Sequence, residues 1–145
     1  MARVPATTVA EPRGDLVAAT AEQINATINR YVAAFSAGDK DGYLAVFAPH
    51  ATVEDPVGSD VCTGPEQIAG FWDGVRAMTP SITLVQTGTP RIAAGEVAWN
   101  LRAIAQMGDA KLAVDIIDVM AFDDEGQVTS LRAFWDMAEM APYEG

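Results

Sequence analysis

The sequence predicts an α+β domain, with about three helices in its first part enclosing a pocket against a curved, mixed and largely antiparallel sheet built by the rest. Three observations predict it. Apolar residues recur at helical spacing in the first part of the chain, the pattern changes to strand-like segments from Ser81 onward, and turn residues separate the last three of those segments. A curled sheet closed by helices makes a cone with an internal cavity, a common place for a small ligand.

The elements follow in order. Ala21 to Ala37 reads as a helix, because Ile24, Ile28, Tyr31, Val32 and Phe35 share one face. Thr20 caps its start and Gly38 ends it. A shorter helix follows, with Asp39 as its cap and Leu44 and Phe47 on the inner side. Ala51 to Asp55 reads as a strand with Val53 and Asp55 on one face and Thr52 and Glu54 on the other. Pro56 ends it and holds Asp55 extended. A third helix opens with Pro65 and runs through Ile68, Phe71 and Trp72. Ile82–Gln86, Glu96–Gln106, Leu112–Phe122 and Val128–Trp135 are the later strands, with Gly108-Asp109 and Glu125-Gly126 as turns.

The chain of 145 residues fits one domain, expected over residues 19–145. Residues 1–18 are expected to form a flexible arm, since they carry two prolines and no periodicity. No apolar block of signal-peptide or membrane-helix length is present, and the single Cys62 fits a reducing compartment, so a cytoplasmic location is expected. A net charge of −11 repels phosphate backbones and anionic lipid, which argues against nucleic-acid and membrane partners. With one Cys and one His a Cys/His zinc site is not expected; clustered carboxylates stay open as ligands of a hard cation, but no calcium-loop spacing occurs, so no metal is expected.

Asp118 is the most informative position. Leu112, Val114, Ile116, Met120 and Phe122 point to the same side of its strand. A carboxyl in an apolar row is expensive to ionise, and as a neutral acid it donates a hydrogen bond. Asp118 is therefore a candidate oxyanion stabiliser, the alternative being an edge position where it reaches water. Asp55 shares a face with Ala51 and Val53. It is either a turn residue before proline or a general base. Tyr31 lies on the apolar face of the first helix, either as core or as a hydroxyl donor. His50 reads as a loop histidine and Cys62, with no basic neighbour, as inert. No nucleophile elbow, phosphate loop or dinucleotide fingerprint occurs.

The segments Ala51-Thr52-Val53-Glu54-Asp55-Pro56-Val57-Gly58, Asp115-Ile116-Ile117-Asp118-Val119-Met120-Ala121-Phe122 and Arg30-Tyr31-Val32-Ala33-Ala34 resemble, in order and separation, those carrying the base, the oxyanion-hole aspartate and the oxyanion-hole tyrosine of bacterial Δ5-3-ketosteroid isomerases. The likeness runs from about Asn25 to Trp135. It implies the cone-shaped fold of nuclear transport factor two and SnoaL-like proteins. It implies Asp55 as general base, Tyr31 and protonated Asp118 as oxyanion donors, and Phe71, Trp135 and Trp72 as substrate-binding positions. It further implies a 3-ketosteroid substrate, no cofactor and a homodimer. The chain departs from the family in carrying Trp72 and Phe47 where members often carry supporting tyrosines. That leaves Tyr31 expected to have weaker hydrogen-bond support. A polyketide-cyclase-like enzyme and a non-catalytic steroid or lipid binder are the competing readings, because one fold hosts many functions.

Overall fold

In the computed structural model, which describes residues 17–144, three helices cover one face of an eight-stranded sheet. The proposed arm lies, apart from Val17 and Ala18, outside the described residues. Ala19 is already part of the core, and Ala18 lies against Gly95, whose positive φ and close neighbour leave little room for a side chain.

Helix α1 (Ala21–Ala37) starts in a capping box: the Gln23 N–H donates to Thr20 Oγ1 at 3.0 Å and the Thr20 N–H to Gln23 Oε1 at 2.8 Å. It stops at Gly38, left-handed with φ 71°, where the Asp39 N–H reaches the Ala34 carbonyl at 2.9 Å. Its inward face carries Ile24, Thr27, Ile28, Tyr31, Ala34 and Phe35. Thr27 is buried among these apolar residues because its hydroxyl donates to the Gly126 carbonyl at 2.7 Å, tying the helix to a distant turn.

Helix α2 (Lys40–Ala45) is shorter than expected and differs in its buried residue. Tyr43 is fully enclosed, while Phe47 belongs to the strand that follows. The helix ends early because Pro49 requires Ala48 before it to be extended. Strand β1 (Phe47–Glu54) therefore begins earlier than the sequence pattern implied. After β2 (Cys62–Thr63), α3 (Gly64–Met78) opens with proline in its first turn and buries Ile68 and Trp72.

The remaining strands are β3 (Ile82–Gln86), β4 (Arg91–Ala93), β5 (Glu96–Met107), β6 (Ala110–Phe122), β7 (Val128–Phe134) and β8 (Ala141–Pro142), with a 3-10 turn at Met137–Glu139. The main path runs β2-β1-β7-β6-β5-β3. All pairs are antiparallel except β1 with β7, which makes the sheet mixed. Strands β2, β4 and β8 are two or three residues long, too short to leave a periodic signal. The core fills the space between the helices and the inner sheet face, centred on Ile28, Tyr43, Trp99, Leu101, Met120 and Leu131. Among the described residues no helix is long and apolar enough to cross a membrane.

Candidate active site

Asp55 is the first residue beyond β1, and its place is set by the turn it begins. Glu54 points to the outer face, pairs with Arg132 at 3.1 Å and accepts the Gly58 N–H at 2.9 Å. The Val57 N–H donates to the Ala133 carbonyl at 2.8 Å, and both the N–H and the hydroxyl of Ser59 return to the Pro56 carbonyl. Gly58 supplies the positive φ, 102°, that the turn requires. Because side chains alternate along an extended chain, the outward Glu54 leaves Asp55 facing inward.

There Asp55 Oδ1 accepts the Trp135 indole N–H at 2.7 Å. Two effects oppose each other on this carboxyl. Removal from water raises its pKa, and the indole hydrogen bond lowers it, with a result of about 6. Asp55 is therefore ionised at neutral pH and close to the value at which it can also hold a proton.

Asp118 sits in β6 opposite Trp99 of β5 and is 1% exposed. Its Oδ2 has no hydrogen-bond partner among the described residues. A buried carboxylate without donors would be very costly. Desolvation first, and the neighbouring negative charge of Asp55 second, hold its pKa well above the ordinary carboxylate range. Both effects favour the neutral acid, the form that has a proton to donate. Tyr31 is likewise buried, and burial followed by the charges of Asp118, Tyr43 and Asp55 pushes its pKa well up, so it too keeps its proton.

Tyr31, Asp55 and Asp118 line one cavity of about 280 Å³. It lies just below the usual small-molecule range of ~300–1,000 Å³. Phe71 and Trp135 line it as well, so the structure brings together these five positions singled out from the sequence. The floor is the inner face of the sheet. Ile116 faces Leu101, and Val114 faces Ala103, so alanine lowers the floor one rank away from the carboxyls.

Trp72 is elsewhere. It is buried in the aromatic core, 4.7 Å from the Tyr43 ring and 5.3 Å from that of Phe35, with the Arg76 guanidinium 4.7 Å over its own ring. It packs behind the cavity wall, because α3 turns Phe71 and Val75 toward the cavity and the adjacent face of the helix toward α2. Phe47 meets Tyr43 edge-on, with ring centres 5.1 Å apart.

Tyr43 is the residue sequence reading missed. Its ring lies 5.8 Å from that of Tyr31, and its fully buried hydroxyl has no partner among the described residues. Burial, then the charges of Asp55 and Asp118, raise its pKa, which places the hydroxyl in the same electrostatic neighbourhood as the three site residues. A tyrosine therefore does stand beside Tyr31, contributed by α2 rather than by the Trp72 or Phe47 positions. The signal available in the sequence was its place on the inner side of a short capped helix, four residues after Asp39. Trp99 was missed for a similar reason: it reads as strand core, yet it stacks edge-on against Tyr31 at 6.1 Å directly across from Asp118.

The SnoaL-like domain model matches residues 28–131. A steroid Delta-isomerase from Nocardioides simplex is 37% identical, across 81% of this chain and 94% of that one. An epoxide hydrolase, LasB, from Streptomyces lasalocidi is 26% identical, and the match covers 72% of this chain but only 44% of that protein. Among solved structures, the epoxide hydrolase/cyclase-like enzyme SalBIII, described in pyran ring formation in the polyether salinomycin, superposes with a TM-score of 0.75 at 23% identity. That superposition covers 84% of this chain and 97% of SalBIII.

Proposed function

The chain belongs to the SnoaL-like domain family, and we propose that within it this protein is a steroid Delta-isomerase, converting 3-oxo-Δ5-steroids to 3-oxo-Δ4-steroids. The observation that carries the reading is the pairing on one apolar cavity of two aspartates in different surroundings, Asp55 raised to about 6 with an indole N–H to steady its charge, and Asp118 buried without a donor and held well above the ordinary carboxylate range. The 37% identity to the Nocardioides simplex isomerase over most of both chains supports the same reading. One carboxyl kept neutral to donate and a second kept ionised to accept a proton is how a single site runs acid and base chemistry together.

Carbon 4 of the substrate lies between a ketone and an alkene, so its protons are acidic for a carbon acid. Asp55, ionised, takes one of them and becomes the neutral acid. The electron pair moves through the ketone, and negative charge collects on its oxygen as a dienolate. Tyr31 and Asp118 donate hydrogen bonds to that oxygen, where charge appears only as the reaction proceeds. Both are buried, so these bonds act away from competing water. Asp55 then returns the proton to carbon 6, and the conjugated 4-ene ketone results. A pKa near 6 suits a group that must both take and give one proton at neutral pH. The ketone is the electron sink, and Phe71, Trp135 and the aliphatic floor hold the flat ring system by burial.

The expected homodimer would use the outer sheet face, where Ile117 and Phe134 are neighbours across β6 and β7 and remain 45% and 41% exposed.

A second reading has its own support in the names of LasB and SalBIII. A neutral Asp118 would protonate an epoxide oxygen while ionised Asp55 takes a proton from the attacking hydroxyl. One assay separates the two. Purified protein with 5-androstene-3,17-dione is followed by the ultraviolet absorbance of the conjugated enone, with Asp55→Asn alongside. Rapid growth that collapses in the variant supports the isomerase, and no growth in either passes the site to the epoxide reading or to a binder.

A further inference from the structure

The three polar site residues occupy one end of the cavity, and the opposite end is open and rimmed with methionine. Along β6 the cavity-lining residues are Asp118, Ile116 and Val114. Four residues of antiparallel strand span about 14 Å. Beyond Val114, Ala105 continues the floor opposite Leu112 and beside Ile82 of β3. Met78 closes α3 next to this end, only four residues before Ile82. Met137 opens the 3-10 turn and Met140 follows it on the path from Trp135 to β8, which pairs with Leu112 and Ala113.

All three methionines line the cavity, yet Met78 is 76% and Met137 61% exposed. The cavity therefore opens to solvent between them. Single exposed apolar residues are ordinary, but these are continuous with an enclosed apolar cavity. Thr79 supplies the only polar side chain among the lining residues at this end. Methionine is unbranched and polarizable, so its side chain re-forms around ligands of varied shape.

We propose that the rim of Met78, Met137 and Met140 is a subsite for an apolar side chain on the substrate, so that the protein prefers 3-ketosteroids bearing a branched alkyl tail over those ending in an oxygen. This rests on the isomerase reading for the orientation of the ligand. With the ketone at Tyr31 and Asp118, the rigid rings lie along the floor and their far end arrives between Met78 and Met137. A carbonyl there meets mainly thioethers, which donate no hydrogen bond, with the Thr79 hydroxyl the one side-chain donor among the lining residues at that end. An alkyl tail there covers exposed methionine and leaves water itself. Each methylene so transferred is worth about fourfold in affinity before ordering costs.

The test is binding, read by equilibrium dialysis of the steroid, with quenching of the protein's tryptophan fluorescence, to which Trp135 in the cavity wall contributes beside Trp72 and Trp99, as a second signal. The probes are 4-cholesten-3-one and 4-androstene-3,17-dione, both delivered from cyclodextrin. The wild type should bind the tailed ketone at least tenfold more tightly. In the double variant Met78→Gln/Met137→Gln that ratio should fall toward one, and Met78→Leu/Met137→Leu should keep it. Thermal melts check that each variant is folded. Equal or weaker binding of the tailed ketone by the wild type, or a ratio that the glutamines leave unmoved, overturns the proposal. Turnover of the matching 5-ene ketones is measured on the same samples. Absent turnover with an intact binding preference defeats the isomerase reading and upholds the rim, whereas turnover without the preference defeats the rim alone.

Discussion

The indole N–H of Trp135 donates to Asp55 Oδ1 at 2.7 Å, joining residues eighty positions apart. Among the described residues it is the one specific interaction that holds the pKa of Asp55 down against its burial. Trp135→Phe keeps the ring and removes the donor, so the pKa of Asp55 should rise above about 6. The acidic limb of the pH profile of kcat/KM should move to higher pH, while the rate on the plateau changes less. An unmoved limb would show that another group sets it.

In the wild type, the active form of Asp55 is the carboxylate. Activity should therefore fall as pH drops through about 6, with a slope of one proton, and stay level above it. Asp118 and Tyr31 must keep their protons, and the upward shift of both pKa values moves any alkaline loss to higher pH. A pH profile of kcat/KM from 4 to 10 would test both limbs. A limb near the ordinary carboxylate value would mean that Asp55 is solvated in the working enzyme.

Removing one oxyanion donor, by Tyr31→Phe or Asp118→Ala, should lower kcat by roughly 10²–10³, with KM little changed. Asp118→Asn keeps an N–H donor and should lose less. Steady-state kinetics of the three variants would check the order.

Asp118→Asn should also stabilise the protein in a pH-dependent way. An acid whose folded pKa is raised contributes stability that is complete below its unfolded value, 3.8, and is lost as pH rises toward the folded one. At neutral pH the wild type carries that loss and asparagine does not. The melting temperature of Asp118→Asn should exceed that of the wild type at pH 7 and 8, and the gap should close near pH 4. Each kcal/mol gained would appear as roughly 3 °C. A gap that is constant with pH would assign the effect to packing.

Tyr43→Phe removes a buried hydroxyl that has no partner among the described residues. Such a group costs ~1–3 kcal/mol when left unmet. The variant should melt no lower than the wild type, and higher if the hydroxyl stays unpartnered in solution. A lower melting temperature would mean that the hydroxyl finds a partner, with Tyr31 the nearest phenol.

The helices and strands could be read from the sequence because each has its own local physics. Thr20, Gly38, Asp39 and Pro65 mark helix ends by satisfying or withholding backbone hydrogen bonds within a few residues. The row Val114, Ile116, Asp118, Met120 exposed the odd carboxyl for the same reason, since alternation is a property of one strand. Asp55, Tyr31 and Asp118 were therefore singled out from the sequence, first by placement and then by resemblance. What the tertiary structure decided was everything that depends on one element meeting another. Trp72 and Phe71 are adjacent on α3, and only the direction in which that helix packs made Phe71 cavity wall and Trp72 core. Tyr43 belongs beside Tyr31 because α2 folds back over α1, a contact no spacing along the chain encodes. The acidity of Asp55 depends on Trp135 arriving from the end of the last long strand, and that of Asp118 on the closure of the cavity that shuts water out. Desolvation is a property of the assembled interior, so the sequence names the acids while the fold assigns their protons.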